Sequence, residues 1–173
     1  YALNTSRATE QSPLTIADLE GLTPTQGTSS NTNGWYLDFR TTPVEIPSTP
    51  VTFYNGYLLF ATFSGNFNDP CAIGSSRFYA VNALTGGGAW GGGNKFIQLE
   101  GLQVAGITVF DDKVYLGVVG SASAGDLKSA LGDSARLTGN LLSFDLPEEI
   151  PSSGDAGAGA EPGPIFWREW RTK

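Results

Sequence analysis

One pattern of residues occurs twice along this chain, and the last part of the pattern occurs once more at the beginning. A hairpin of apolar and aromatic residues at 50–62 is matched by a hairpin at 106–119, with an offset of 56 residues (107 − 51 = 56). The strand at 78–82 is matched at 141–145, with an offset of 63 (142 − 79 = 63), and its last four residues are similar to residues 1–4. Such a recurrence restricts the fold to successive copies of one supersecondary unit that pack against each other.

The repeat and the composition together predict an all-β fold. Glycine accounts for 23 of 173 residues and charged residues for only 16%, which is typical of strands joined by many turns. Asn55-Gly56 predicts a hairpin turn of type I′, because both residue types tolerate a positive φ, and Asp111-Asp112 takes the same place in the second copy. Four strands per repeat are typical of a propeller blade. We therefore predict an all-β, antiparallel fold of about two four-stranded, propeller-like blades (quinoprotein-like repeats) with short helical insertions.

The strand pattern divides the chain into two repeats and their flanking segments. In order, the predicted segments are 1–34 (an orphan strand, a loop and a short helix), 35–94 (repeat 1), 95–146 (repeat 2), 147–164 (a linker rich in Pro, Gly and Ala) and 165–173 (a strand). The short helix is predicted at 12–20, with Ser12 as N-cap and Pro13 in the first helical position. A second helical stretch is predicted at 126–131, ended by Gly132.

The composition disfavours several classes of function. Histidine is absent and cysteine occurs once, at Cys71, so a His-assisted nucleophile cannot be built and a structural zinc site is disfavoured. Cys71 is interpreted as a lone thiol, or as the partner of a cysteine outside this chain. The net charge of −7 disfavours nucleic acids and anionic membranes as partners, and no apolar run is long enough to insert into a membrane.

The acidic and amide side chains in turns are the remaining candidates for a site. Asn66, Asn68 and Asp69 place oxygen atoms at near-alternate positions, which suggests calcium, but the spacing is irregular and Pro70 favours a turn. Asp111-Asp112 is interpreted as a hairpin turn and Glu148-Glu149 as a solvated pair. No catalytic residue, cofactor-binding residue or metal ligand is predicted, no cofactor is expected, and the chain is interpreted as not being an enzyme.

The segment that follows the strand at 78–82 resembles the turn motif of quinoprotein-type propellers. Asn82, Thr85 and Gly86 stand at the motif's positions, and Trp90 follows shortly after. A polar side chain at the strand end bonds the backbone of the turn, and Gly86 takes a positive φ. Trp90 is expected to pack between neighbouring blades. The resemblance would also imply a quinone-dependent dehydrogenase, which remains an alternative, although no ligand cluster accompanies the motif.

Taken in succession, the motifs resemble the C-terminal propeller region of the PilY-type proteins of type IV pili. The resemblance covers about 33–171 and is carried by 33–39, 49–51 with the Asn55-Gly56 hairpin, 61–63, 69–71, 78–87 and 166–171. It implies a propeller at the pilus tip that primes pilus assembly, counters retraction and mediates attachment. The family's Asp-rich calcium loop does not occur in this sequence.

Two blades cannot close a ring, because propellers usually have roughly 4–8 blades. Exposed sheet edges and uncovered aromatic residues therefore predict a protein partner, which is either the rest of a propeller, or pilin or similar subunits. The predicted partner-binding residues lie in the two terminal strands and are Tyr1, Leu3, Phe166, Trp167 and Trp170. We expect an extracellular, cell-surface protein of the pilus that acts through packing and strand pairing. The alternative is a globular subunit that builds or decorates an extracellular filament.

Overall fold

The computed structural model describes residues 2–3, 15–25, 27–40, 44–65, 74–148 and 150. Strands make up 49% and helices 11% of this part of the chain, which confirms the mostly β prediction. The elements in chain order are β1 (Ala2–Leu3), β2 (Glu20–Leu22), β3 (Gly34–Leu37), β4 (Ile46–Pro47), β5 (Thr52–Tyr54), β6 (Tyr57–Ser64), β7 (Ser75–Asn82), β8 (Phe96–Leu99), β9 (Leu102–Phe110), β10 (Lys113–Gly120), α1 (Ala124–Leu131), β11 (Arg136–Thr138) and β12 (Leu141–Asp145).

The strands form three sheets, and all neighbouring strands but one pair are antiparallel. The amino-terminal sheet has the order β1-β3-β2, in which β2 and β3 are parallel. The central sheet has the order β4-β6-β7-β8, and β5 pairs with β6 beside β4. The carboxy-terminal sheet has the order β11-β12-β10-β9. Among the described residues these sheets form no closed barrel or propeller.

The central sheet is buried on both of its faces. Successive residues of a strand face opposite sides, so Leu58 and Phe60 of β6 point one way and Leu59 and Ala61 the other. One face packs against the amino-terminal sheet in a cluster that contains Leu22, Trp35, Leu58, Phe60, Tyr79 and Val81. The other face packs against the carboxy-terminal sheet in a larger cluster that contains Leu59, Ala61, Phe78, Ala80, Leu102, Val104, Val114, Leu116, Leu142 and Phe144.

The central and carboxy-terminal sheets repeat the same cross-strand register. In the central sheet, β6 lies between β5 and β7, and in the carboxy-terminal sheet, β10 lies between β9 and β12. A residue in the middle strand can therefore pair with one residue on either side. The offsets of 56 and 63 residues relate the flanked trios Thr52, Leu59, Ala80 and Thr108, Tyr115, Ser143. The sequence repeat is therefore also a structural repeat.

The grouping of strands into sheets differs from the prediction. β3 was predicted to open repeat 1, but it pairs with β1 and β2, and β8 was predicted to open repeat 2, but it pairs with β7. The strand at Ala2–Leu3 is therefore not an orphan, because Ala2 pairs with Trp35. After residues 83–95, which include a 3₁₀ turn at Gly91–Gly93, β8 pairs with β7, whereas β9 begins a new sheet. The strand counts of three, five and four also differ from four per blade.

The local predictions for turns and helices are largely confirmed. Asn55 and Gly56 have φ values of 44° and 85°, and the pair Asp111-Asp112 has values of 52° and 57°, as type I′ turns require. Helix α1 begins after Ser123, two residues before the predicted stretch, and ends at Gly132 as predicted.

The helix predicted at 12–20 was wrong in extent. Among the described residues it is reduced to one 3₁₀ turn, Ile16–Asp18, with Thr15 as N-cap. Ser12 and Pro13 lie outside the described residues. The side chain of Asp18 accepts hydrogen bonds from the backbone N–H (2.7 Å) and the Oγ1 (2.8 Å) of Thr15, so these two residues close the 3₁₀ turn.

Candidate functional site

The turn after β7 has the geometry that its sequence motif predicts. The side-chain Oδ1 of Asn82 accepts hydrogen bonds from the backbone N–H groups of Leu84 and Thr85, both at 3.0 Å. The Oγ1 of Thr85 accepts a longer bond from the backbone of Gly87 at 3.3 Å. Gly86 has a φ of 67°, which a side chain would strain. The motif therefore acts as a turn that ends β7 and redirects the chain.

The same turn joins the central sheet to the amino-terminal sheet. A Cβ atom built on Gly86 would lie 2.4 Å from the side chain of Leu22 and 3.1 Å from that of Trp35, so only glycine permits this approach. The indole N–H of Trp35 donates to the backbone carbonyl of Ala83 at 3.2 Å. In addition, the backbone N–H of Ser29 donates to the carbonyl of Thr85 at 2.6 Å. The turn is thus a contact between two sheets.

Trp90 packs between two sheets, as the motif predicted. Its ring lies 6.0 Å from the ring of Phe78 in the central sheet and 6.3 Å from that of Phe144 in the carboxy-terminal sheet. Phe78 and Phe144 also contact each other edge to face, with their centroids 5.6 Å apart. The indole nitrogen of Trp90 is buried and has no hydrogen-bond partner. The role of Trp90 in this structure is therefore packing.

A buried carboxylate organises the polar part of the central sheet. Glu45 stands just before β4, and its Oε2 accepts hydrogen bonds from the hydroxyls of Thr62 (2.6 Å) and Tyr79 (2.8 Å). Its Oε1 forms an ion pair with Arg77. All three carboxylate contacts come from neighbouring strands β6 and β7, so the loop that precedes β4 is fixed to the sheet face. We call the side chains of Glu45, Thr62, Arg77 and Tyr79 the Glu45 network.

Aromatic rings enclose the Glu45 network. The guanidinium of Arg77 lies 4.3 Å above the ring of Phe96, and the ring of Tyr79 stacks on that of Phe60 at 4.8 Å. Burial and the neighbouring Glu45 carboxylate raise the pKa of the Tyr79 hydroxyl, so it remains a hydrogen-bond donor at physiological pH. The network is fully occupied with internal bonds, which is the arrangement of a structural element. The sequence gives no local signal for this network, because Glu45 is flanked by Pro43 and Pro47, which favour an edge or a connecting segment.

Lys95 is a buried lysine, and its partner among the described residues is a backbone carbonyl group and not a carboxylate. Lys95 precedes β8, is only 2% exposed, and donates from its Nζ to the backbone carbonyl of Gly27 at 2.6 Å. Burial lowers the pKa of its ammonium group, because the charged form is disfavoured away from water. Like the bond from Ser29 to Thr85, this bond links the central sheet to the segment that joins β2 to β3.

The structure describes only one of the five predicted partner-binding residues. Leu3 lies in β1 and pairs with Gly34. The other four, in the sequence stretches at the two ends, lie outside the described residues and are Tyr1, Phe166, Trp167 and Trp170. The terminal strands as a partner-binding site therefore stay a prediction.

The loop proposed for calcium or a turn (Asn66, Asn68, Asp69) and the lone thiol Cys71 also lie outside the described residues. Within the described ranges, no group of three or more His, Cys, Asp and Glu side chains is arranged to hold a metal ion. The Asp112 carboxylate accepts a hydrogen bond from the hydroxyl of Tyr54, which ties the two hairpins together. Over the same ranges, no helix has the length and apolarity needed to cross a membrane.

No family model matches the chain, no curated protein matches it, and no solved structure matches it.

Proposed function

We propose that this chain is a segment of a non-enzymatic, extracellular protein of type IV pili, a tip adhesin or assembly factor that acts through protein packing. The ordered motifs that resemble the PilY-type proteins support the proposal, together with a mostly β fold of largely antiparallel sheets. The observation that carries it is the stack of three consecutive sheets, in which the central sheet is buried on both faces. A blade inside a propeller must be covered in the same way by the blades before and after it.

We further propose that the sheets are successive propeller blades. Each sheet packs against the sheet that follows it in sequence, and the two larger sheets share one register. The turn at Asn82 to Gly86 and the ring of Trp90 both lie at contacts between sheets, which is the place that the propeller motif gives them. Packing of this kind supplies a rigid surface without requiring any chemical step.

The described polar groups support a structural role. The Glu45 carboxylate, the Arg77 guanidinium and the Tyr79 hydroxyl bind one another within the sheet, and Lys95 binds a backbone carbonyl. A catalytic group needs to reach a substrate, whereas the hydrogen bonds of these groups are made to strands and loops of the protein itself. We therefore attribute the burial of these charged groups to a role in stabilising the fold.

Immunogold labelling of intact cells of the source organism, with antibodies raised against this chain, tests the proposal. We expect one or a few gold particles at the ends of surface pili, and no labelled fibres in a strain that cannot assemble pili. Labelling spaced along the whole fibre would instead identify a filament subunit. Labelling confined to the cell interior in permeabilised cells would contradict the proposal.

A further inference from the structure

The carboxy-terminal sheet has one buried face and one open face. Val114, Leu116 and Val118 of β10 point towards the central sheet and are at most 3% exposed. The residues between them therefore point to the opposite side. We call this side the outer face, and it is formed by Thr108 and Phe110 of β9, Tyr115, Gly117 and Val119 of β10, and Leu141 and Ser143 of β12.

The repeat shows that the outer face corresponds to a face that is covered elsewhere in the molecule. The offsets of 56 and 63 residues match Tyr115 with Leu59 and Leu141 with Phe78. Leu59 and Phe78 are completely buried, because the carboxy-terminal sheet covers them, whereas Leu141 is 48% exposed. Val119 is 56% exposed and Phe110 71% exposed on the same face. The outer face thus keeps apolar residues at positions where the preceding sheet has an interface.

The order of the chain indicates which segment covers the outer face. One face of the amino-terminal sheet is covered by the central sheet, which follows it in the sequence. One face of the central sheet is covered in the same way by the carboxy-terminal sheet, which follows next. The sequence that follows the carboxy-terminal sheet is 151–173. Its apolar residues are concentrated in 165–170, after a stretch rich in Gly, Pro and Ala.

The chain leaves the described fold at a suitable place. The backbone N–H of Leu146 donates to the carbonyl of Asp112 at 3.1 Å, and Ile150 is buried against the core. This places the exit beside the β9–β10 turn, at the end of the outer face that carries Phe110. The 14 residues 151–164 reach up to about 45 Å when extended, whereas an eight-residue strand such as β10 is about 27 Å long.

We propose that residues 165–171 of this same chain pack on the outer face of the carboxy-terminal sheet, with Phe166, Trp167 and Trp170 supplying the apolar contacts. This inference deepens the proposed function, because it gives the predicted partner-binding aromatic residues a binding surface within the same chain. It rests on the proposed function only in treating the sheets as successive repeats. The contact covers a face that would otherwise bind other chains.

Pairs of introduced cysteines in the full chain test this contact. In a Cys71→Ser background, Trp167→Cys is combined with Tyr115→Cys or, as a second site on the same face, with Thr108→Cys. The matched control combines Trp167→Cys with Ser129→Cys, because Ser129 is exposed on α1, away from the outer face. Circular dichroism of each reduced variant verifies that it is folded, and intact mass after mild oxidation measures the disulfide.

We expect intramolecular disulfide at Tyr115→Cys or Thr108→Cys at least fivefold above the Ser129→Cys control, with a yield that does not change on dilution. Equal yields at all three sites, or no disulfide at either outer-face site, would overturn the proposal. Disulfide-linked dimers that increase with protein concentration would also overturn it, because the face would then receive a second copy. None of these results depends on where the protein is located on the cell, so they are separate from the test of the proposed function.

Discussion

The two faces of the central sheet are buried by different means. Towards the carboxy-terminal sheet, the contact is made almost wholly by aliphatic residues and by the rings of Phe78, Trp90 and Phe144. Towards the amino-terminal sheet, a smaller apolar cluster is accompanied by directed polar bonds from Trp35 to Ala83, from Ser29 to Thr85 and from Lys95 to Gly27. On the same face, the Glu45 network fixes the loop before β4 to the central sheet. The large apolar contact thus needs few specific bonds, whereas the small three-stranded sheet is also held by hydrogen bonds to the central sheet.

The largest effect is expected on the apolar face. Phe78→Ala removes a fully buried ring that contacts both Trp90 and Phe144, so we expect the free energy of unfolding to fall by about 4 kcal/mol. Urea unfolding followed by circular dichroism measures the change. Leu84→Ala, at a side chain that is 84% exposed and lies away from the outer face, is the control and should change stability by less than about 0.5 kcal/mol. Similar losses in both variants would contradict the assigned core.

The polar face is tested by Glu45→Ala. This change leaves the guanidinium of Arg77 and the hydroxyls of Thr62 and Tyr79 without their shared acceptor, so we expect a loss of about 3 kcal/mol. The control is Asp38→Ala, which breaks the solvent-exposed ion pair with Arg40 and should cost no more than about 1 kcal/mol. If the two variants unfold at the same urea concentration, the Glu45 network does not stabilise this face.

Gly86→Ala tests the close contact between the turn and the amino-terminal sheet. The new methyl group meets Leu22 and Trp35 at a backbone position with φ of 67°, so we expect a loss of about 2 kcal/mol. Gly91→Ala is a matched control, because a Cβ there has no neighbour within 4 Å. Thermal unfolding of both variants gives the comparison, and an unchanged Gly86→Ala would show that the two sheets do not approach each other at this turn.

Tyr79→Phe removes a single hydrogen bond and keeps the ring that stacks on Phe60. The expected loss is about 1 kcal/mol, since Glu45 retains its bonds to Thr62 and Arg77. Tyr115→Phe, on the outer face, is the control in the same urea experiment. A Tyr79→Phe protein that loses as much stability as Glu45→Ala would mean that the three bonds act as one unit.

The smallest effect is the pH dependence that Lys95 adds. Its folded-state pKa lies below the ordinary value of 10.5, so the folded protein releases this proton at lower pH than the unfolded chain does. Between the two pKa values the unfolded chain binds more protons, and stability therefore rises with pH. We expect wild type to gain stability relative to Lys95→Met as pH rises from 7 towards 10.5. A constant difference between the two proteins would contradict this.

Much of the fold follows from local sequence signals. The hairpins at Asn55-Gly56 and Asp111-Asp112, the helix ended by Gly132 and the place of Trp90 between sheets were all predicted from residue types with specific backbone or packing preferences. The grouping of strands was not, because a repeating pattern gives the spacing of a unit but not the strand at which the unit begins. Hydrogen bonding of β8 to β7 decides that question in three dimensions.

The buried polar sites were missed for a related physical reason. Glu45 and Lys95 are charged residue types that are usually exposed, and their burial depends on partners 17 to 68 positions away in the sequence. No local pattern carries that information. The aromatic residues of 165–171, in contrast, were predicted from the sequence to need a cover, but the sequence alone did not indicate which surface supplies it.

Hydrogen exchange of the folded protein, resolved to individual amides, tests most directly whether the central sheet is buried between two others. We expect the slowest amides at Leu58–Ala61 of β6 and Tyr79–Val81 of β7, with exchange only through global unfolding, and faster exchange at the edges of the carboxy-terminal sheet. If amides of β9 and β11 exchange as slowly as those of β6 and β7, or if one face of the central sheet loses protection early, the stack of three sheets is contradicted.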